Sequence, residues 1–172
     1  TFQTLPQIHD MVSGRVSVQS IREVSIDDLL GRDKVVLDWE LIQAEITGKS
    51  LLVSGGGGSI GSELCRQVAS LGPARLVVFE RSEHNLYLIE RELRESHPRL
   101  NLHSVIGDVI DRVAVDKVFE QFRPALVFHA AAYKHVPILQ LQVREAVRNN
   151  VFGTVEMIEA ANRHGCESFV FI

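Results

Sequence analysis

The run Ser54-Gly55-Gly56-Gly57-Gly58-Ser59-Ile60-Gly61 constrains this chain more than any other feature. It joins an apolar stretch ending at Ser54 to a segment carrying Ile60, Leu64, Val68 and Leu71 on one helical face. A turn of this kind aims backbone amides and a helix N-terminus at whatever lies above the strand end. A pyrophosphate is the natural occupant, because bare glycine backbone lets it approach and side chains would block it. Two registers fit, Gly56-x-Gly58-x-x-Gly61 and Gly55-x-x-Gly58-x-x-Gly61. The expected contacts are Gly55, Gly58, Ser59, Ile60 and Gly61. A tight strand-to-helix turn without a ligand is the alternative. Glu80 argues against it, because it ends the next apolar stretch 19 residues after Gly61, where a carboxylate accepts from adenosine ribose hydroxyls.

From Ser50 onward, short apolar runs alternate with segments of helical period, the pattern of a parallel sheet covered by helices. Leu51 to Ser54, Leu76 to Glu80, Leu102 to Ile106, Leu126 to Ala130 and Phe169 to Ile172 read as buried strands. Four helices fall between them. The first stops at Gly72-Pro73, the second runs from near Ser82 to Pro98, the third from Asp111 to Phe122 and the fourth from Val143 to His164. The fold class is therefore α/β, a Rossmann-type doubly wound parallel sheet of five strands. Residues 49–172 are expected to form the dinucleotide-binding domain and residues 1–48 a connecting linker segment. Within that linker, Trp39, Ile42 and Ile46 suggest a turn of helix packed on the main domain, capped by Asp38 and ended by Gly48.

With 172 residues and 45% apolar content, the chain holds one domain with an attached segment and a sizeable core. The net charge of −4 gives no global attraction to nucleic acid or to an anionic membrane. Cys65 and Cys166 lack metal or disulfide spacing, and the histidines lack zinc spacing, so a reduced cytosolic chain without metal is expected. The longest uncharged stretch, Ser50 to Ser62, is too short to span a bilayer, so the fragment is expected to be soluble. A chain beginning at Thr1 rather than Met is expected to come from a longer parent.

Further candidates follow the other strands. Arg81 and Ser82 stand beside Glu80. Glu80 repels the extra phosphate of NADP and Arg81 attracts it, so NAD is the reading taken and NADP the alternative. Asp108 and Val109 sit where an adenine amino group and a backbone return contact meet; Asp108 as a simple turn cap is the other reading. Ala130, Ala131 and Ala132 are small enough for the nicotinamide half to lie against the sheet edge, with tight helix packing as the alternative. Lys134 and His135 leave the sheet at its carboxyl end and are the candidate substrate contacts. His129 reads as a satisfied, semi-buried histidine. Asn149, Asn150 and Gly153 weaken the fourth helix, and the glycine marks a close backbone approach; Asn150 either steadies the site wall by bonding a neighbouring strand or belongs to a helix kink satisfied by packing.

These motifs, with Ser62-Glu63-Leu64, Ser82 to Tyr87, Gly107-Asp108-Val109, Ala130 to Pro137 and Asn150-Val-Phe-Gly153-Thr154, resemble the capsular polysaccharide biosynthesis branch of the extended short-chain dehydrogenases. The segments Ile21 to Arg32 and Asp38 to Ser50 resemble the linker of its large members, which carry transmembrane helices upstream. The resemblance implies a nucleotide-sugar 4,6-dehydratase acting on UDP-N-acetylglucosamine, its parent at the cytoplasmic face of the bacterial inner membrane. It implies oxidation of the 4-hydroxyl with hydride passing to the cofactor, loss of the C5 proton, departure of water from C6 and return of hydride to C6. The family's acid–base groups lie after the fifth strand, beyond Ile172, so no catalytic residue is expected in this chain and the fragment is expected to be inactive alone. Departures are Gly56, where Ala is common, and Gln140-Leu141-Gln142 after the Val-Pro pair. A 4-epimerase and a non-catalytic dinucleotide-binding module are the competing readings, and a homo-oligomer is one assembly left open.

Overall fold

The computed structural model describes residues 3–4, 22–23 and 38–172. The chain divides into two compact units, Thr1–Asp38 and Trp39–Ile172. In the first, Gln3–Thr4 pairs antiparallel with Arg22–Glu23. The remainder of the linker reading up to residue 37, including most of Ile21 to Arg32, lies outside the described residues.

The second unit opens with α1 (Trp39–Ile46), of which Ile46 is buried and Ile42 partly buried against the core, while Trp39 stays exposed. Five strands follow: β1 (Ser50–Ser54), β2 (Arg75–Glu80), β3 (Leu102–Ile106), β4 (Leu126–His129) and β5 (Ser168–Phe171). All pair parallel, in the order β3-β2-β1-β4-β5. Both faces of the central strands β1, β2 and β4 are covered, which is why they read as continuous apolar runs rather than alternating ones. β5, read from sequence as buried, is instead an edge strand with Val170 and Phe171 exposed, because it has a strand neighbour on one side only. On one face Leu51, Val53, Leu76 and Val78 pack with residues of α2 (Ser59–Ser70) and α3 (Glu83–Ser96), notably Cys65, Val68, Ile89 and Leu93. On the other, Leu52, Val77, Phe79 and Val127 pack with Val115 and Phe119 of α4 (Arg112–Phe122) and with Met157 and Ala160 further on. Each fully buried Leu or Val contributes roughly 1.5–3 kcal/mol, so the two cores are the main stabilisers of this unit.

The helix starts follow their caps. Ser82 Oγ accepts from the Asn85 N–H at 3.3 Å, and Asp111 accepts from Val113 and Ala114 at 3.0 and 3.2 Å. The chain runs outward from β1 to β3, then returns to lay β4 on the other side of β1. That reversal opens a crevice at the carboxyl ends of β1 and β4.

Beyond shifts of one residue at other strand ends, three differences from the sequence reading bear on the cleft. β4 ends at His129 rather than Ala130, because β1 stops at Ser54 and the next residue turns away, its Gly55 N–H bonding Phe79 O of β2 at 2.8 Å. The stretch after Tyr133-Lys134-His135 is a helix, α5 (Val136–Leu141), with Pro137 in the first turn, where no N–H is needed. The expected fourth helix is three pieces: α6 (Val143–Val147), a π-helical turn (Arg148–Gly153) and α7 (Thr154–Arg163). Gly153 explains part of this, because a Cβ there would lie 2.7 Å from Val109 Cγ2. The close approach expected of that glycine is thus to a side chain of the β3–α4 connection.

Candidate functional site

The glycine loop is built largely by backbone contact. Gly55 has φ +68°, and a Cβ on it would stand 2.6 Å from Ala130 O. Gly61 packs beneath it, and its Cβ would stand 2.1 Å from Gly55 O. The register Gly55-x-x-Gly58-x-x-Gly61 is therefore the one in which the backbone itself is the packing surface. Gly56 turns inward, its Cβ position 2.5 Å from Val78 Cγ1, so the alanine common in the resembling family would press on β2 here. Gly58 is the N-cap of α2 and supplies no side-chain cap. The first-turn amides of Ser59 and Ile60 are thereby left without a side-chain cap at the end of α2 whose dipole favours an anion.

Glu80 is 8% exposed at the end of β2. Its Oε2 accepts from Gly57 N–H at 3.1 Å and its Oε1 from Ser82 N–H at 2.9 Å. The carboxylate thus ties the loop to the start of α3 and keeps lone pairs facing the cleft. Arg81 reaches across the opening: its guanidinium lies 4.7 Å from the Tyr133 ring centroid, donates to the Tyr133 hydroxyl and stands 3.8 Å from Asp108 Oδ2. Asp108 caps its turn, Oδ1 accepting from Ile110 N–H at 3.2 Å, and the residue lines the cleft.

The facing wall leaves the sheet after His129. Asn149 Nδ2 donates to Ala131 O at 2.7 Å, Asn150 Oδ1 accepts from Tyr133 N–H at 2.9 Å, and Asn150 Nδ2 donates to Tyr133 O at 2.9 Å. The π-helical turn presents both amides to this segment, so Asn150 holds the loop after β4 rather than a strand. His129 is fully buried rather than semi-buried, and burial pushes its pKa down to about 4.

One cleft gathers Gly55, Gly58, Glu80, Arg81, Ser82, Asp108, Val109 and Ala130 to Ala132. Val109 is at the same time committed to the core. Ser59, Ile60, Lys134 and His135 line an adjoining cleft with Ile138, Leu139 and Glu145, and Gly58, Asn85 and Tyr133 border both. Gly61 lines neither; it is buried under Gly55. Sequence reading missed Asn85 and Asn149 as cleft residues, whereas Tyr133 falls in the crevice where its place after the fourth strand puts it. Asn85 had a signal, because it lies three positions after the Ser82 cap, in the turn that faces Gly57, whose Cβ would lie 2.6 Å from Asn85 Cβ. Among the described residues no His, Cys, Asp or Glu cluster is arranged to hold a metal ion. Burial raises the Cys65 thiol to about 12, so it is no nucleophile. Among the described residues no helix is long and apolar enough to cross a membrane.

A family profile described as "Polysaccharide biosynthesis protein" matches residues 51–172. The chain is 41% identical to the capsular polysaccharide biosynthesis protein CapD of Staphylococcus aureus, over 98% of this chain and 28% of that protein. It is 33% identical to a dTDP-glucose 4,6-dehydratase of Neisseria gonorrhoeae, over 67% of this chain and 33% of that one. Among solved structures it is similar to the epimerase Mth375 of Methanothermobacter thermautotrophicus, with TM-score 0.63 and 28% identity over 77% of this chain and 37% of that one. The chain spans about a third or less of the length of the curated relatives it matches.

Proposed function

The chain belongs to the polysaccharide biosynthesis protein family, with dehydratase and epimerase relatives, and on that premise we propose that it forms the dinucleotide-binding part of a nucleotide-sugar 4,6-dehydratase. The observation that carries the reading is the meeting of three elements at one strand reversal: the steric floor of Gly55 and Gly61, the uncapped start of α2 and the Glu80 carboxylate. Gly55 and Gly61 let the loop pack flat against Ala130 and against itself, which leaves the start of α2 bare beside Glu80, so the residues present fit a nicotinamide dinucleotide. NAD is the form proposed, with Glu80 facing the ribose; NADP is the alternative that Arg81 would favour.

When bound, the cofactor takes up and returns hydride. This chain's own residues do the rest of what is assigned here. The α2 amides of Ser59 and Ile60 hold the pyrophosphate, over the floor that Gly55 and Gly61 make. Asp108 and Val109 receive the adenine, and Ala130 to Ala132 keep the nicotinamide side free of bulk. Lys134 and His135, exposed in the adjoining cleft, face a UDP-sugar, for which UDP-N-acetylglucosamine is the proposed substrate. The proton-moving groups are assigned to sequence following Ile172, and residues 1–48 to a connection from an upstream domain of a membrane-anchored parent.

The test is incubation of the parent protein with UDP-N-acetylglucosamine and NMR of the product, with the 172-residue chain as control. A 4-keto-6-deoxy sugar from the parent alone is the expected result. A 4-epimer formed without loss of water would replace the dehydratase reading with the epimerase one, which the similarity to Mth375 favours. If neither turns over and calorimetry shows NAD bound, the chain is a non-catalytic dinucleotide module.

A further inference from the structure

Behind the cleft runs a hydrogen-bonded chain that none of the proposed contacts uses. Ser54 and His129 are register partners at the ends of β1 and β4, with 0% and 1% of their surface exposed. Ser54 Oγ lies 2.6 Å from His129 Nδ1, and His129 Nε2 lies 3.0 Å from Thr154 Oγ1. Thr154 Oγ1 in turn donates to Asn150 O at 2.9 Å. The proton order follows from counting donors. Thr154 has one hydroxyl hydrogen and gives it to the Asn150 carbonyl, so toward His129 it only accepts. Nε2 therefore carries the imidazole hydrogen. A neutral ring has a single N–H, which makes Nδ1 the acceptor of the Ser54 hydroxyl. Desolvation keeps the ring neutral at physiological pH, and Phe169 and Phe171 of β5 flank it with centroids at 5.8 Å.

The residues that follow the two strands meet in the cleft floor, where a Cβ on Gly55 would stand 2.6 Å from Ala130 O. The Ser54–His129 bond thus sits directly below the place where β1 and β4 must keep their spacing. On its other side, the Thr154 bond reaches the first residue of α7, immediately after the π-helical turn whose amides hold Ala131 and Tyr133. We infer that His129 is a positioning residue of the dinucleotide site: held as the Nε2–H tautomer between Ser54 and Thr154, it fixes the glycine loop relative to the Ala130–Ala132 wall. The inference rests on the dinucleotide reading above. A phenyl ring in its place would fill the volume, yet it would free Ser54 and Thr154 to seek other partners and let the two walls shift.

The experiment uses the 172-residue chain. Nitrogen-15 NMR of the histidine rings is expected to show an unprotonated Nδ1 and a protonated Nε2 for His129; the opposite tautomer, or an imidazolium at neutral pH, overturns the assignment. Calorimetric titration with NAD then compares His129→Phe, Thr154→Val and Thr154→Ser, each first checked for cooperative melting. His129→Phe and Thr154→Val are expected to bind NAD about tenfold more weakly, the scale of one buried hydrogen bond, and Thr154→Ser to return to near wild-type affinity. Should His129→Phe fail to fold, the tautomer and the Thr154 pair decide the matter alone. Folded variants that bind like wild type overturn the positioning role and leave the dinucleotide reading standing. A wild-type chain that binds neither NAD nor NADP ends that reading and the inference with it.

Discussion

The two walls of the cleft are held by different physics. The floor, from Gly55 to Gly61, is positioned by contact: Gly55 and Gly61 touch the backbone of Ala130 and of each other at distances that admit no Cβ, and Glu80 ties the loop to the start of α3 by accepting from Gly57 N–H and Ser82 N–H. The opposite wall, Ala130 to Tyr133, has left the sheet and hangs from the amides of Asn149 and Asn150. A contact-built surface fails abruptly when one atom is added. A surface held by hydrogen bonds loosens by degrees as each bond is removed, which leaves room for substrate-side variation without disturbing the cofactor floor.

Gly61→Ala is the largest expected break. Its Cβ would stand 2.1 Å from Gly55 O, and a backbone atom cannot move aside as a side chain can. A loss of roughly 3 kcal/mol or more is expected by chemical denaturation, with NAD binding abolished in calorimetry. Gly58→Ala, whose Cβ would meet only Gly55 O at 3.2 Å, is expected to stay within about 1 kcal/mol of wild type. Similar losses in the two variants would mean that the floor is not steric.

The seam between the walls is read by pH. The His129 pKa is lowered from 6.5 to about 4 by burial, so between these values the unfolded chain binds the proton and the folded chain does not. Stability is then fully present above pH 6.5 and falls as pH drops toward 4, by on the order of 3 kcal/mol at about 1.4 kcal/mol per unit. His103, lowered by partial burial and by the nearby Arg75 and Arg94 charges, acts in the same direction. Denaturation curves from pH 4 to pH 7 are expected to flatten in His129→Phe, and an unchanged slope would show that the buried imidazole is not the group lost.

Asn150→Ala comes next. Both polar backbone groups of Tyr133 lose their partner, for an expected loss of about 2 kcal/mol, with faster amide exchange at Tyr133 and little change at Gly55. Asn150→Asp keeps the acceptor for Tyr133 N–H and removes the donor to Tyr133 O, so it is expected to fall between the two. Equal protection of Tyr133 in all three proteins would transfer the wall's support to some other contact.

The same contrast explains what could be read from the chain. Leu51 to Val53 and Leu76 to Phe79 announce a two-sided sheet because burial on both faces needs an unbroken apolar run. Glu80 follows from its place at the end of such a run. The choice between glycine registers was not legible, because Ala130 O decides it, 75 positions after Gly55. Nor was the π-helical turn, which depends on Val109 against Gly153 and on amide bonds to a loop 17 and 18 residues earlier. The Arg81–Tyr133 bridge spans 52 residues and leaves no local period to detect. Helix α5 did carry a signal in Pro137, which was masked by the chemistry of Tyr133-Lys134-His135 ahead of it.

Lys134→Ala sharpens the comparison with the smallest expected effect on the fold. Lys134 is exposed beyond the hydrogen-bonded wall, so its loss is expected to change stability by less than about 0.5 kcal/mol. Its proposed work is electrostatic, at a diphosphate in the adjoining cleft, where a partly exposed charge pair contributes at most about 1 kcal/mol and weakens with salt. UDP affinity is therefore expected to fall by about threefold to fivefold at low ionic strength, less at high, while NAD affinity holds. An unchanged UDP affinity would remove Lys134 from the substrate side. A parallel fall in NAD affinity would instead mean that the two clefts are one electrostatic site, and that the contact-built floor does not act independently of the wall facing it.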